Sequence, residues 1–161
     1  MSEVKSFIIR PAQEDDLEQI ARIEIESAKN EGRLEPLGYT VKEMHKLWKK
    51  RLRSGDFDIL AAANAENDSH VLGFIGVQAH HGKPGFIQAI YVDPAFYRHG
   101  VGKALLNLAD RLFRMRRCPH AYLYLEPLNH KGRLFYSSAG YLTTNKRYRH
   151  LQILSKEFGS C

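Results

Sequence analysis

Cysteine is scarce in this chain of 161 residues, which contains only Cys118 and Cys161. The two lie far apart and outside any Cys-x-x-Cys or Cys/His spacing, so the sequence favours neither a disulfide framework nor a zinc site. We therefore expect no metal.

Long apolar runs are also missing. No run approaches the ~20 residues that a membrane span needs. The first residues, MSEVKSFIIRPAQEDD, lack the basic-then-apolar layout of a secretory signal. The sequence thus predicts a cytoplasmic protein with no membrane partner.

The composition is that of a folded protein with excess positive charge. Hydrophobic residues make up 43% and charged residues 26% of the chain, which excludes the profile of disordered sequences. Its length suits one domain over residues 1–161. The net charge of +6 indicates an anionic partner such as a nucleic acid, an acidic membrane face or a nucleotide cofactor. Nucleic acid is an unlikely partner because no aromatic-rich RNA-binding motif accompanies the charge.

Hydrophobic periodicity predicts alternating helices and strands. Helices are expected over residues 15–29, 40–54, 102–117 and 129–138, and strands over 6–10, 58–63, 71–78, 86–92, 121–125 and 148–155. The tract NAENDS should join two antiparallel strands. The order predicts an α+β domain with a mixed sheet and helices on both faces.

Two glycines follow the most apolar strand, in the stretch VDPAFYRHGVGKALL. Gly100 and Gly102 lie where the strand turns into a helix, so unpaired backbone N–H groups at the helix start form an anion cradle. We expect glycine at both positions because a side chain would block the approach of a phosphate and disfavour left-handed torsions. The P-loop pattern requires a glycine where this chain has Tyr97, and the dinucleotide fingerprint requires a glycine where it has Leu105, so neither motif is present.

The strand, its Val92-Asp93-Pro94 exit, the glycine turn and the later segment NHKGRLFYSSAGY together resemble the GNAT family of acetyl-CoA-dependent N-acetyltransferases. The resemblance implies a central mixed, mostly antiparallel sheet flanked by helices. It also implies that the strand backbone binds the pantetheine arm and the turn binds the pyrophosphate. The corresponding cofactor-binding residues are Ile90, Tyr91, Val92, Arg98, His99, Gly100, Val101, Gly102 and Lys103.

One position departs from the family pattern. Tyr97 stands where the family usually has Gln or Arg, three residues before the first glycine. Arg98 or Lys103 would then supply the positive charge for the phosphates.

Acetyl transfer to an amine needs donors for the developing oxyanion and an acid near the departing sulfur. The resemblance implies that backbone N–H groups around Ile90 and Tyr91 serve the first need. It implies that Tyr136 protonates the thiolate and that Asn129 contacts the cofactor. The spacing of seven residues would place Asn129 and Tyr136 on one side of a short helix. The plainer alternatives are a packing aromatic for Tyr136 and a simple N-cap for Asn129.

The general base has two candidates. Glu126, at the end of a predicted strand, and Glu24, on the apolar side of the first helix, could each act through water. The sequence leaves this choice open, with Glu126 as the catalytic assignment beside Tyr136.

The predicted reaction is direct attack of a primary amine on acetyl-CoA, with release of CoA. The acceptor is a small molecule or a protein or peptide amino group. The resemblance implies that the segment from Glu24 to Tyr39 and the last strands contact the acceptor. In that segment Glu31 and Glu35 suit a cation, whereas Arg33 suits a carboxylate.

Two alternatives remain from the sequence, a catalytically inactive CoA-binding module and an acetyltransferase that acts on RNA. A homodimer is also expected if the terminal strand 148–155 pairs with its copy.

Overall fold

A sheet of seven strands organises the chain, with the spatial order β1-β2-β3-β4-β5-β7-β6. The computed structural model describes residues 6–30 and 38–159. In chain order the strands are β1 Phe7–Pro11, β2 Asp58–Asn64, β3 Asn67–Gln78, β4 Gly85–Val92, β5 His120–Leu125, β6 Leu142–Tyr148 and β7 Leu151–Glu157. Neighbouring strands are antiparallel except β4 and β5, which are parallel. The predicted mixed, mostly antiparallel sheet is confirmed.

Helices cover both faces of the sheet, as predicted. They are α1 Leu17–Asn30, α2 Val41–Ser54, α3 Val101–Met115 and α4 His130–Ser138, with short 3-10 turns at Glu14–Asp16 and Pro94–Phe96. On one face α1 and α2 pack on β2, β3 and β4 around the fully buried Trp48 and Phe74. On the other face α3 packs across β3, β4, β5 and β7 through Leu105 and Phe113.

The ends of α2 illustrate how the sequence sets local structure. The Thr40 hydroxyl accepts a hydrogen bond from the Glu43 N–H at 3.1 Å, so the predicted cap is present. The helix ends at Gly55, whose φ of 76° is the left-handed conformation that favours glycine. Both ends of α2 are therefore set by residue types whose backbone preferences can be read from the sequence.

A bulge redirects the side chains of β4. Gly76 of β3 pairs with Ala89, whereas the next residue, Val77, pairs with Ile87, so Gln88 is the extra residue on β4. Ile87 consequently packs on the α3 face, and Ala89 packs on the α1 and α2 face. The predicted central strand 86–92 is confirmed, but this change of face has no signature in its apolar sequence.

β4 and β5 separate soon after they meet. Their ladder pairs only Gly85 with Ala121 and Phe86 with Tyr122. β4 continues to Val92 and β5 to Leu125 without further pairing between them. The sheet therefore opens into a fork, defined by residues 87–92 on one side and 123–125 on the other.

The prediction of one strand over residues 148–155 is wrong. The chain reverses at Arg149, whose φ is 56°, and forms a hairpin of β6 and β7. β6 is polar and almost wholly exposed, so no hydrophobic periodicity marked it. The edge strand is β6 rather than β7, and the homodimer stays a prediction.

The loop predicted for NAENDS is too long, because β3 already begins at Asn67. These polar residues form the exposed first part of β3, where pairing with β2 overrides their preference for a turn.

We expect Gly76→Ala to destabilise the fold. A Cβ at Gly76 would lie 2.7 Å from the Trp48 ring, which is fully buried and has no room to move. Overpacking of this kind costs about 1–3 kcal/mol, measurable by urea unfolding. Gly159→Ala is the control, since nothing lies within 4 Å of its added Cβ. Equal stability of the two variants would contradict the packing argument.

Candidate functional site

The carboxyl end of β4 is held in place at the mouth of the fork. Ser27 of α1 donates its hydroxyl to the Val92 carbonyl at 2.8 Å, and the Asp93 N–H donates to the Leu72 carbonyl at 2.8 Å. The Asp93 carboxylate then accepts from the Ala95 N–H at 3.0 Å. These bonds direct the chain from the strand through the Pro94–Phe96 turn toward the start of α3.

The turn before α3 is an exposed stretch of backbone. Arg98 and Gly100 have left-handed φ values of 69° and 79°, and nothing lies within 4 Å of a Cβ at Gly100. Arg98, His99, Gly100 and Lys103 are exposed, whereas Val101 is buried and anchors the helix. The first N–H groups of α3 lack intrahelical acceptors and carry the positive end of the helix dipole. This stretch can bind an anionic group.

Gly102 has a different role from Gly100. The expectation of a left-handed torsion at Gly102 is wrong, because the residue lies inside α3 and has no positive φ. Its added Cβ would lie 3.4 Å from the Phe135 ring and 3.5 Å from Val92. An added Cβ would therefore be in ordinary van der Waals contact with both, so neither the torsion nor the packing requires glycine at this position.

Asn129 is the N-cap of α4. Its Oδ1 accepts a hydrogen bond from the Gly132 N–H at 2.9 Å, so the N-cap interpretation is confirmed. The side chain folds back over the first helical turn, which begins at His130, instead of projecting from a helix face beside Tyr136. The prediction that Asn129 projects from the same helix face as Tyr136 is therefore wrong.

Tyr136 is half-buried on the side of the sheet where α3 packs. Its ring meets Phe135 edge-on at 5.2 Å and Tyr141 edge-on at 6.3 Å. Its carbonyl accepts from the N–H groups of Ala139 and Tyr141. The bond from the Tyr141 N–H, a second bond from the Gly140 N–H to the Ser137 carbonyl and the left-handed Gly140 form a Schellman motif that fixes the end of α4.

Glu126 follows directly after β5, at the mouth of the fork. Its carboxylate lies 3.0 Å from His150 Nε2, and both side chains reach solvent. His150 belongs to the β6–β7 turn, so the sequence could not indicate this pair once the hairpin was missed.

Glu24, the other candidate base, is buried between α1 and α2 with 8% of its surface exposed. It accepts a hydrogen bond from the Trp48 indole at 2.7 Å. Arg51 lies over the same indole at 4.5 Å, and burial lowers the pKa of this guanidinium. Glu24 thus has a clear role in the packing of α2. Glu31, Arg33 and Glu35, predicted to contact the acceptor, lie outside the described residues.

The described part of the chain contains no helix long and apolar enough to span a bilayer.

The strand order, the open fork and the glycine turn of the chain can be compared with those of known proteins. A family model described as the acetyltransferase (GNAT) family matches residues 18–141. The chain belongs to this family.

Relatives agree with that membership. An uncharacterized N-acetyltransferase from Archaeoglobus fulgidus is 32% identical over 136 residues, which cover 81% of this GNAT chain and 89% of that protein. A mycothiol acetyltransferase from Acidothermus cellulolyticus is 27% identical over 118 residues, or 64% of this chain and 35% of that protein. The PaiA N-acetyltransferase of Thermoplasma acidophilum, solved in complex with coenzyme A, superposes with a TM-score of 0.77 at 23% identity, covering 95% and 99% of the chains. At that identity the superposition shows the fold.

A buried polar network lies beneath α4 in this GNAT chain. Asp110 of α3 accepts from the Tyr141 hydroxyl at 2.6 Å and from Lys156 Nζ at 2.7 Å. Lys156 of β7 also donates to the Ala139 carbonyl at 2.7 Å. The network ties the end of α4 to α3 and β7, and so restrains Tyr136. This network was not predicted from the sequence, although a charged Asp110 beside Ala109 and Phe113 in an apolar helix face was a usable signal.

We expect Tyr141→Phe to change the pH dependence of stability. Burial, together with the hydrogen bond to Asp110, raises the pKa of Tyr141 above its ordinary value. The resulting stabilisation is present below about pH 10 and is lost above it, because only the unfolded chain ionises there. The gap in unfolding free energy between parent and variant should narrow by about 1 kcal/mol from pH 10 to pH 11. Denaturant melts across this range measure it, and a constant gap would contradict the assignment.

Proposed function

We propose that this chain transfers the acetyl group of acetyl-CoA to a primary amine of a small molecule or a peptide by direct attack, releasing CoA. The observation that carries the proposal is the meeting of two features at one edge of the sheet. The open fork between β4 and β5 ends beside the exposed turn that begins α3. An extended ligand with an anionic end fits this combination.

The cofactor-binding residues follow from that placement. Ile90, Tyr91 and Val92 lie in β4 beyond its last pairing with β5, so their backbone can bind the extended pantetheine arm. The pyrophosphate would lie on the N–H groups of the turn and of α3. His99, Gly100, Val101 and Gly102 supply backbone there, and Arg98 and Lys103 add exposed cations. The coenzyme A complex of the PaiA structure supports this use of the fold.

The chemistry needs a proton donor and oxyanion stabilisation. Acetyl-CoA supplies an activated thioester. Backbone N–H groups around Ile90 and Tyr91 stabilise the oxyanion that develops during attack. Tyr136 donates a proton to the departing sulfur as negative charge develops on it during C–S cleavage. At ordinary pKa values, ~10 for a phenol and ~8.5 for a thiol, the proton transfer taken alone is slightly uphill, so it is coupled to expulsion of the leaving group. Asn129 uses its Oδ1 as the cap of α4 and would contact the cofactor through its amide nitrogen.

Glu126 is the better candidate for the base. It reaches solvent at the mouth of the fork and has His150 at 3.0 Å, so it can take the amine proton through water. Glu24 is buried against Trp48, which favours a structural role.

The deciding experiment combines calorimetric titration with acetyl-CoA and release of free thiol in the presence of amines. Binding with amine-dependent thiol release is the expected result. Binding without release would favour a catalytically inactive CoA-binding module, and absence of binding would overturn the proposal.

Tyr136→Phe should lower kcat about a hundredfold with little change in the KM for acetyl-CoA, since only proton donation is lost. Steady-state thiol release measures both constants. Ser137→Ala, which removes an exposed hydroxyl from the same helix, is the control. An unchanged kcat would instead support a packing role for Tyr136.

Arg98→Ala and Arg98→Gly should both weaken acetyl-CoA binding about tenfold, because each removes one charge-assisted contact to the phosphates. The glycine variant should also be the more stable of the two, since Arg98 has a φ of 69°. Arg22→Ala on the exposed side of α1 controls for net charge. Unaltered affinity in both Arg98 variants would assign the phosphate charge to other residues.

A further inference from the structure

Four aromatic rings form a continuous row on one face of the sheet. Phe86 of β4 contacts Tyr122 and Tyr124 of β5, with ring centroids 5.0 Å and 5.3 Å apart. The Tyr122 and Tyr124 rings are 5.9 Å apart, and Tyr124 stacks on Tyr148 of β6 at 4.7 Å with 17° between the ring planes. We call these four residues the aromatic row.

The row lies on the sheet face opposite α3. Ala121, Leu123 and Leu125 alternate with its tyrosines in β5 and are buried in the α3 core, so Tyr122 and Tyr124 point to the other face. On that face α1 and α2 cover β2, β3 and part of β4. Among the described residues, none of the four rings belongs to either hydrophobic core.

The row is therefore an aromatic surface that the described core does not use. Phe86, Tyr122 and Tyr124 are half-buried, largely against one another, and Tyr148 is 45% exposed. Cross-strand pairing adds Leu151 beside Tyr148 and Ile153 beside Tyr124, and both are half-exposed. A contiguous apolar surface of partly exposed rings outside the core is typical of a binding site.

Its position connects the row to the proposed reaction. Phe86 and Tyr122 form the last pair before the fork opens. Tyr124 lies beyond that pair on β5, two residues before Glu126. The row thus begins at the fork and extends along the sheet to the β6–β7 turn. A molecule whose amine enters the fork from this face would rest its remaining atoms on the rings.

The charges around the row indicate what it binds. Arg149 already covers Tyr148 at 5.4 Å, and the nearby carboxylate of Glu126 is paired with His150 at 3.0 Å. Because Arg149 already has a partner and Glu126 is the proposed base for the amine, neither group is placed to bind a second charge on the acceptor. Ring faces and aliphatic side chains remain, and these bind planar apolar groups best.

We propose that the aromatic row is the acceptor surface of this enzyme and that it selects primary amines carrying an aromatic ring close to the amino group. The inference rests on the proposed acetyl transfer. Two sources share this chemistry, a free arylalkylamine and a peptide whose N-terminal residue is aromatic.

The first experiment compares 2-phenylethylamine with 2-cyclohexylethylamine in the thiol-release assay. The two differ in ring planarity and resemble each other in size and amine position. We expect kcat/KM to favour the aryl amine about three- to tenfold, the range that ring stacking contributes. Equal values would overturn the proposal. Peptides beginning with Phe or with Leu form the second arm, and a Phe preference exceeding that of the free amine identifies the peptide source.

Tyr148→Leu and Tyr124→Leu keep an apolar side chain and remove the ring. Each should raise the KM for 2-phenylethylamine several-fold and abolish the preference, with kcat and the KM for acetyl-CoA little changed. Phe57→Leu removes an aromatic ring near Arg51, away from the row, and should leave the preference intact. A preference that survives in both tyrosine variants would contradict the role of the row.

A measurement without turnover separates this proposal from the proposed function. Saturation-transfer NMR of the protein with CoA should detect 2-phenylethylamine more strongly than 2-cyclohexylethylamine, and Tyr148→Leu should remove the difference. That result without thiol release for any amine would contradict only the acetyl transfer. Thiol release with no such difference would contradict only the aromatic row.

Discussion

The structure depends on the early separation of β4 from β5. Two parallel strands that paired along their whole length would satisfy each other's backbone and leave no room between them. Here the pairing ends at Phe86 and Tyr122, and the remaining backbone of β4 faces an opening. The separation can persist because each strand has another partner. β4 pairs with β3 along its length, and β5 pairs with β7.

Everything proposed for the site is arranged around this opening. Ser27 and Asp93 fix the end of β4, so that the turn at Gly100 and the start of α3 lie at its mouth. On the α3 face, Tyr136 is restrained by the Schellman motif of α4 and by the network of Asp110, Tyr141 and Lys156. On the opposite face, the aromatic row begins at the same point. The cofactor and the acceptor can therefore approach one fork from two sides, as direct transfer requires.

Sequence patterns predicted the elements whose signals are local. The caps at Thr40 and Asn129 and the end at Gly55 came from residue types with specific backbone preferences, and all three are confirmed. The polar strand β6 was missed because its exposed residues carry no hydrophobic alternation. That omission also concealed the pairing of His150 with Glu126 and the stacking of Tyr148 on Tyr124. Long-range contacts of this kind have no trace in the local sequence.

The sequence by itself determined the fold class, the family and the glycine turn before α3, because each depends on periodicity, glycine placement or a short continuous motif. Only the tertiary structure decided how the sheet opens and which side chains meet there. The bulge at Gln88 and the end of the β4–β5 ladder arise from packing among strands that are distant in sequence. Gly102 shows the same distinction, since its sequence position suggested a left-handed turn residue, whereas the structure places it inside α3 beside the Phe135 ring of another helix.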